Sequence, residues 1–233
     1  MRIFAISDLH ISFSTDKPMD IFGENWQNHF DKITADWQER VSDEDLVLIA
    51  GDTSWAMTLD EAKKDFEKLS ELKGKKVIIR GNHDYWWTGY SKVKKALPAN
   101  IFAIQNNALK FGEYIICGTR GWIVPEKQSE LEDNEKYINR ESIRLRMSLE
   151  SAKKLRDKDK KIIVMTHFPP FNSKFEDSPF TEIISEYDVD LAIYGHLHGQ
   201  NLRKEIVNKG KTNYYLTSCD YLEFKLLELT QKI

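Results

Sequence analysis

An α/β fold is the prediction for this chain of 233 residues, and three observations carry it. Short apolar runs at 2–7, 45–50, 75–80, 161–166 and 191–194 read as strands, the first of them buried on both faces. Between them lie segments whose apolar residues recur three and four apart, as on amphipathic helices. The resulting order is β-α-β-α-β, a hairpin, α-β-α-β and closing strands. That order belongs to the alternating class, and two sheets between outer helix layers accommodate the late strands. The length is read as one domain covering residues 1–233.

Taken in order, residues 2–7 form the first strand, followed by Asp8-Leu9-His10. Residues 11–24 are a polar loop with Pro18 and Gly23. From Trp26 to Arg40, the residues Trp26, Phe30, Ile33 and Trp37 share one helical face. The strand 45–50 ends in Gly51-Asp52, and Thr58 with Glu61 matches a capping box. The helix it opens buries Leu59, Ala62, Phe66, Leu69 and Leu72, and Gly74 ends it. The strand 75–80 leads into Gly81-Asn82-His83-Asp84, and 85–97 is partly helical up to Pro98. Residues 101–111 and 114–118, joined by Gly112-Glu113, read as a hairpin. After a loop at 119–134, a long helix runs from Glu135 to Arg156. The strand 161–166 ends in His167, and a proline-broken loop gives way to a short helix near 180–186. The strand 191–194 ends in Gly195-His196-Leu197-His198-Gly199. The tail, 202–229, reads as two or three strands with a turn at 208–210.

Composition excludes several classes. Hydrophobic residues at 41% and charged residues at 30% are ordinary for a globular protein. A net charge of −3 with mixed signs along the chain provides no dedicated nucleic-acid surface. No apolar stretch reaches the ~20 residues of a membrane span. Two widely spaced cysteines, Cys117 and Cys219, suit a reducing compartment and read as small buried hydrophobes. The N-terminal stretch turns polar too soon for a signal peptide, so a cytoplasmic location is expected. Oligomeric state is not written in the sequence.

The chemistry lies just past the strands: Asp8 and His10, Asp52, Asn82 and His83, His167, and His196 with His198. In a mostly parallel sheet the carboxyl ends of the strands share one edge, where ligands bind. Five of the six histidines lie in these stretches; only His29 is outside. With His83 held back, two carboxylates, one amide and four imidazoles are too many ligands for one metal. They suit two, if one carboxylate bridges. Mixed nitrogen and oxygen ligation without thiolate fits Mn²⁺, Fe, Co²⁺ or Zn²⁺, with manganese the first choice.

Asp8-x-His10, Gly51-Asp52, Gly81-Asn82-His83-Asp84, His167 and Gly195-His196-x-His198, in this order, resemble the calcineurin-like metallophosphoesterase superfamily. The resemblance spans residues 8–198 with all five blocks intact. It implies a four-layer α/β/β/α sandwich of two mixed sheets flanked by helices, with a dinuclear site. Block by block it implies that Asp8, His10 and His198 hold one divalent metal, that Asn82, His167 and His196 hold the other, and that Asp52 bridges them. His83 and Asp84 match the family's proton-donor pair, Asp84 orienting the imidazole.

The implied reaction is hydrolysis of a phosphate ester by direct attack of a metal-bridging hydroxide. His83 then protonates the leaving group. Relatives that are protein serine/threonine phosphatases carry Asp-Arg-Gly after the Gly-Asp block, whereas here Thr53-Ser54-Trp55 follows. A dianionic monoester benefits from extra cationic clamps, so the missing arginine favours a phosphodiester over a monoester. A phosphatase, a nuclease and a non-catalytic scaffold are the alternatives. Arg120 is the candidate substrate contact, with Arg80 behind it. Trp55, Tyr85, Trp86, Trp87 and Trp122 crowd the motifs. Packing that stiffens the ligand loops is the stronger reading for each; stacking a nucleotide base is the other.

Overall fold

A computed structural model of the chain describes residues 1–157, 160–199 and 206–233. The first sheet contains β1 (Ile3–Ile6), β2 (Leu46–Ile49), β3 (Lys75–Ile79) and β4 (Ile101–Ile104), all parallel, with the short β11 (Leu227–Glu228) antiparallel at the β1 edge. The second runs in the order β5-β6-β7-β8-β10-β9. Here β6 (Tyr114–Thr119), β7 (Lys161–Thr166), β8 (Leu191–Tyr194) and β10 (Thr212–Leu216) are parallel. Its edges are β5 (Ala108–Phe111) and β9 (Val207–Lys209), both antiparallel.

Alternation along β1 and β2 shows how the layers form. Phe4, Ile6, Val47 and Ile49 point outward, into a cluster with Ile33 and Trp37 of α1 (His29–Arg40) and Ala62, Phe66 and Leu69 of α2 (Leu59–Ser70). Val93 of α3 (Tyr90–Ala96) joins the same cluster. Ile3, Ala5, Leu46 and Leu48 point inward, against Ile116, Ile163, Met165, Leu191 and Ile193 of the second sheet. On the far side, Ile115, Val164 and Ala192 meet Leu145 and Leu149 of α4 (Gln128–Leu155) and Ile183 and Ile184 of α5 (Pro179–Ser185). Both faces of each sheet are apolar because each is covered, giving the four-layer α/β/β/α sandwich.

Four element readings shift. The first helix starts at His29, three residues past Trp26, because Asn28 takes a left-handed conformation (φ 52°) at its N-cap. Trp26 belongs to a 3₁₀ turn, Glu24–Trp26, that follows another at Met19–Phe22. The expected first hairpin arm is two strands: β4 stays in the first sheet and β5 starts the second. The chain crosses between them at Gln105-Asn106-Asn107, where Asn107 Oδ1 accepts from the Gln105 amide at 3.1 Å. The long helix starts at Gln128, and its acidic early residues, such as Glu130, suit a helix N-terminus. In the tail, Gly210 (φ 60°) and Lys211 make the turn between β9 and β10. The start of the tail reading, 202–205, lies outside the described residues.

Candidate active site

The two sheets are joined at the edge where the chemistry sits. Ser7, just past β1, donates its amide to Thr217 O at 2.7 Å and accepts from the Cys219 amide at 3.0 Å. The amides of Asp8 and His10 donate to Gly51 O and Asp52 O, both at 3.0 Å. Asp8 (φ 58°), His10 (46°), Asp52 (50°) and His196 (72°) all occupy the left-handed region, which is uncommon for residues with a side chain. Four such residues at one edge mark backbone held in place by its surroundings, a feature of functional sites. Close approach demands glycine at two positions. A Cβ at Gly81 would collide with Asp52, and one at Gly195 would meet Asp8 Oδ2 at 2.7 Å.

Asp8, His10 and His198 each offer a ligand atom within 4.8 Å of the others, as do Asp8, Asp52 and His167. Asn82 Oδ1 lies 2.6 Å from His167 Nε2 and 2.9 Å from His196 Nδ1. Asp52 Oδ2 lies 3.5 Å from His167 Nε2 and 3.9 Å from His10 Nε2. The seven residues expected to hold metal therefore converge on one place. A family profile described as calcineurin-like phosphoesterase matches residues 1–200. The chain belongs to that family.

This phosphoesterase matches none of the curated proteins. Among solved structures it is similar to a protein of unknown function from Aquifex aeolicus, at 13% identity and TM-score 0.53, covering 99% of this chain and 96% of that one. It is also similar to a phosphopantetheinyl hydrolase from Mycobacterium tuberculosis, at 15% identity and TM-score 0.55, covering 93% and 88%. At these identities the likeness is one of fold.

The donor set of the phosphoesterase fits divalent metal. His167 is fully buried, and burial pushes its imidazole down to about 4, so it is neutral at pH 7. Its Nδ1–H is directed at Ala50 O at 3.0 Å, which leaves a lone pair on Nε2 facing the Asn82 oxygen. Two acceptors at that distance suit neighbouring ligands of one cation. Asp52 Oδ2 is buried with no hydrogen-bond partner, while Oδ1 accepts from the His83 amide at 2.8 Å. Burial, then the charges of Asp84 and Asp8, push the Asp52 carboxyl up to about 9. An acid so starved of countercharge suits a cation beside it.

Two expected contacts differ. Asp84 does not touch the His83 ring. Its Oδ1 accepts from the amides of Thr53 (2.9 Å) and Ser54 (3.2 Å) and from Trp86 Nε1 (3.0 Å), and its Oδ2 from the Gly81 amide (2.7 Å). With its lone pairs spent on backbone, Asp84 ties the Asp52 loop to the Asn82 loop, and His83 Nδ1 is buried without a partner. Arg120 is absent from the cavity of about 530 Å³ beside the ligands, which is lined by His10, His83 and His198 together with Trp26, Trp55 and Met19. It lines a different one. Of the aromatics, Trp86 and Trp87 are buried, and Trp122 stacks on Tyr137 at 4.5 Å. Trp55 alone of that group faces the cavity beside the candidate ligands, stacked on His10 at 4.6 Å and 20°.

Sequence reasoning missed Asp220 and Trp26. Asp220 accepts from His198 Nδ1 at 3.0 Å and from the Gly199 amide at 2.8 Å, and with Asp8 it holds His198 above its ordinary pKa against burial. It follows the end of β10, so the same rule that singled out the other site residues applies to it. Trp26 was hidden in a helical pattern. His29, outside the motifs, directs Nε2 at Leu9 O at 2.9 Å and so steadies the Asp8–His10 turn.

Proposed function

We propose that residues 1–233 form one metallophosphoesterase domain that hydrolyses a phosphodiester at a dinuclear centre. The observation that carries this reading is Asp52 Oδ2, buried and unpartnered between His10 Nε2 and His167 Nε2. In this reading Asp8, His10 and His198 hold one cation, Asn82, His167 and His196 the other, and Asp52 both. Manganese is the first choice for an oxygen and nitrogen set without thiolate. When bound, two such cations supply a strong nucleophile from water at neutral pH and offset charge on the phosphoryl oxygens.

The chain's own residues supply orientation and a proton. Asp220 and Ala50 O fix the tautomers of His198 and His167, so that Nε2 of each faces the centre. His83 lines the cavity on the side of His10 and His198, where a leaving group would depart. Burial lowers the His83 pKa, opposed by Asp8, and the negative charge of a bound phosphate would raise it towards the range a proton donor needs. Asp84 acts at one remove, by holding the loop that carries His83.

The cavity walls support a diester. Among the described residues lining it there is no lysine or arginine, and Met19, Phe22, Trp26 and Trp55 give it apolar faces. Lys17 Nζ lies over the Trp55 ring at 4.8 Å, beside that wall, and the apolar faces give an esterified group surface to pack on.

The test loads the protein with Mn²⁺ and assays bis(4-nitrophenyl) phosphate, 4-nitrophenyl phosphate and a polynucleotide side by side. The expected result is metal-dependent turnover with the diester fastest. A faster monoester would make the protein a phosphatase, and a faster polynucleotide a nuclease.

A further inference from the structure

A second cavity, about 140 Å³, lies at the carboxyl ends of β3, β4 and β6 against α4. Arg80, Arg120, Arg140 and Arg144 line it together with Gln105 and Thr119. One carboxylate, Glu141, stands against these four guanidinium groups, so the cavity wall carries a net charge of +3 (four minus one). Glu141 is fully buried and already committed: Arg144 Nη1 at 2.7 Å, Arg140 Nε at 3.2 Å and the Thr119 hydroxyl at 2.8 Å all donate to it.

Arg80 and Arg120 have no carboxylate within ion-pair distance among the described residues, and Arg80 Nε is buried without a hydrogen-bond partner. Arg120 lies over the Trp122 ring at 4.8 Å, which sets its plane but does not neutralise it. Burial lowers its pKa, Glu141 opposes, and Arg80, Arg140 and Arg144 all push the same way as burial. A guanidinium cannot shed its proton in a protein, so a group of them held together is satisfied by an anion.

The cavity is tied to the metal ligands. Arg80 directly precedes Gly81-Asn82, and the Arg120 carbonyl accepts from the His167 amide at 3.0 Å. Arg120 is also among the charges that favour ionised Asp52. The metal centre thus has an apolar cavity on the His10–His198 side and a cationic one on the Asn82–His167 side.

We infer that the cationic cavity is a second anion subsite of the same active site, taking a phosphate group carried elsewhere on the substrate. The substrate class becomes a phosphate ester that bears a second phosphate, held by the paired N–H donors of Arg80 and Arg120. This inference rests on the phosphoesterase reading above for its catalytic part only.

The test has two arms. In the first, inorganic phosphate is titrated calorimetrically into the full chain, stripped of metal and dialysed. One site is expected, weakened about tenfold or more by Arg120→Gln and by Arg80→Gln, less by Arg120→Lys, and not by Asp52→Asn. Thermal melting confirms that each variant is folded. No binding, or binding that only Asp52→Asn removes, would overturn the subsite.

In the second arm, Mn²⁺-loaded protein is given 4-nitrophenyl thymidine 5′-phosphate with and without a 3′-phosphate. The added phosphate is expected to raise kcat/KM about tenfold or more, and Arg120→Gln to bring the ratio towards one. A ratio of one in the unmodified protein would assign the cavity to a free anion and overturn its place in the substrate site. Failure to cleave either ester would count against the phosphodiester reading, while the first arm still judges the anion site.

Discussion

Asp8, Asp52 and Asn82 reach the candidate metal centre from the first sheet, with His10 the one imidazole among them, whereas His167, His196 and His198 reach it from the second. The first sheet thus brings all the oxygen and the second only nitrogen, and neither alone assembles either cluster. The anchoring differs as well. On the first-sheet side, buried Asp84 accepts from Gly81 and Trp86 of its own loop and from Thr53 and Ser54 of the Asp52 loop, and buried Asp65 accepts from the Phe13 amide at 2.9 Å and from the Ser54 hydroxyl. On the second-sheet side, the block 195–199 leans on carboxylates from elsewhere: Asp8 accepts from the His196 amide at 3.1 Å, and Asp220 takes His198 and Gly199. The first-sheet half is thus tied by carboxylates of its own loops, and the second by Asp220 from its own sheet and by Asp8 from across the seam.

The largest effect should come from the residue that serves both halves. Asp52→Asn should leave less than two equivalents of Mn²⁺ bound and cut turnover of bis(4-nitrophenyl) phosphate by about 10³-fold or more. Metal analysis beside the assay reads both. Full metal content with normal turnover would show that the halves do not share this carboxylate.

His83→Ala comes next. If His83 is the proton donor proposed above and no ligand, metal content should hold while turnover of an alkyl ester falls by about 10²-fold or more. A 4-nitrophenyl ester, whose leaving group needs no proton, should lose far less. Equal losses on the two esters would make His83 a positioning residue.

Asp220→Asn addresses the second-sheet half. Loss of the carboxylate behind His198 Nδ1 should weaken the metal held with Asp8 and His10 by about 10–100-fold, read by competition with a chelator. Rates at saturating Mn²⁺ should stay near those of the unaltered protein. An unchanged metal affinity would mean that the Asp8 side alone positions His198.

The smallest effect is on stability. In the metal-free protein Asp52 keeps a proton up to about pH 9, whereas the unfolded chain loses it near pH ~3.9. The folded state then holds more protons, so stability falls as pH rises. His167, pushed down to about 4, opposes this only below its unfolded value of ~6.5. Lys76, pushed down to about 8 by burial, opposes it only above that. Between pH ~6.5 and ~8 the melting temperature of stripped protein should therefore fall, His198, held above its ordinary value, adding to the fall, and Asp52→Asn should lessen the slope. A melting temperature that rises across this window would show Asp52 to be ionised without metal.

Much of this was written in the chain. Apolar runs ending in Asp8, Asp52, Asn82, His167 and His196 determined both the strands and the edge on which the chemistry lies, because a parallel sheet sends all its carboxyl ends one way. The capping box at Thr58 and Glu61 opens α2 as its residue types require. Other features were decided only by packing. Periodicity records that a face is apolar but not which face it will meet, so 101–104 and 108–111 read as one strand although they lie in different sheets. Asp84 follows His83 in sequence yet turns away from it, because four buried donors claim its oxygens first. Arg120 and Arg80 lie 40 residues apart and share a cavity with α4 because β3 and β6 end at the same edge of two stacked sheets. Local patterns encode which groups are present at that edge; only the closing of one sheet on the other decides which of them face each other.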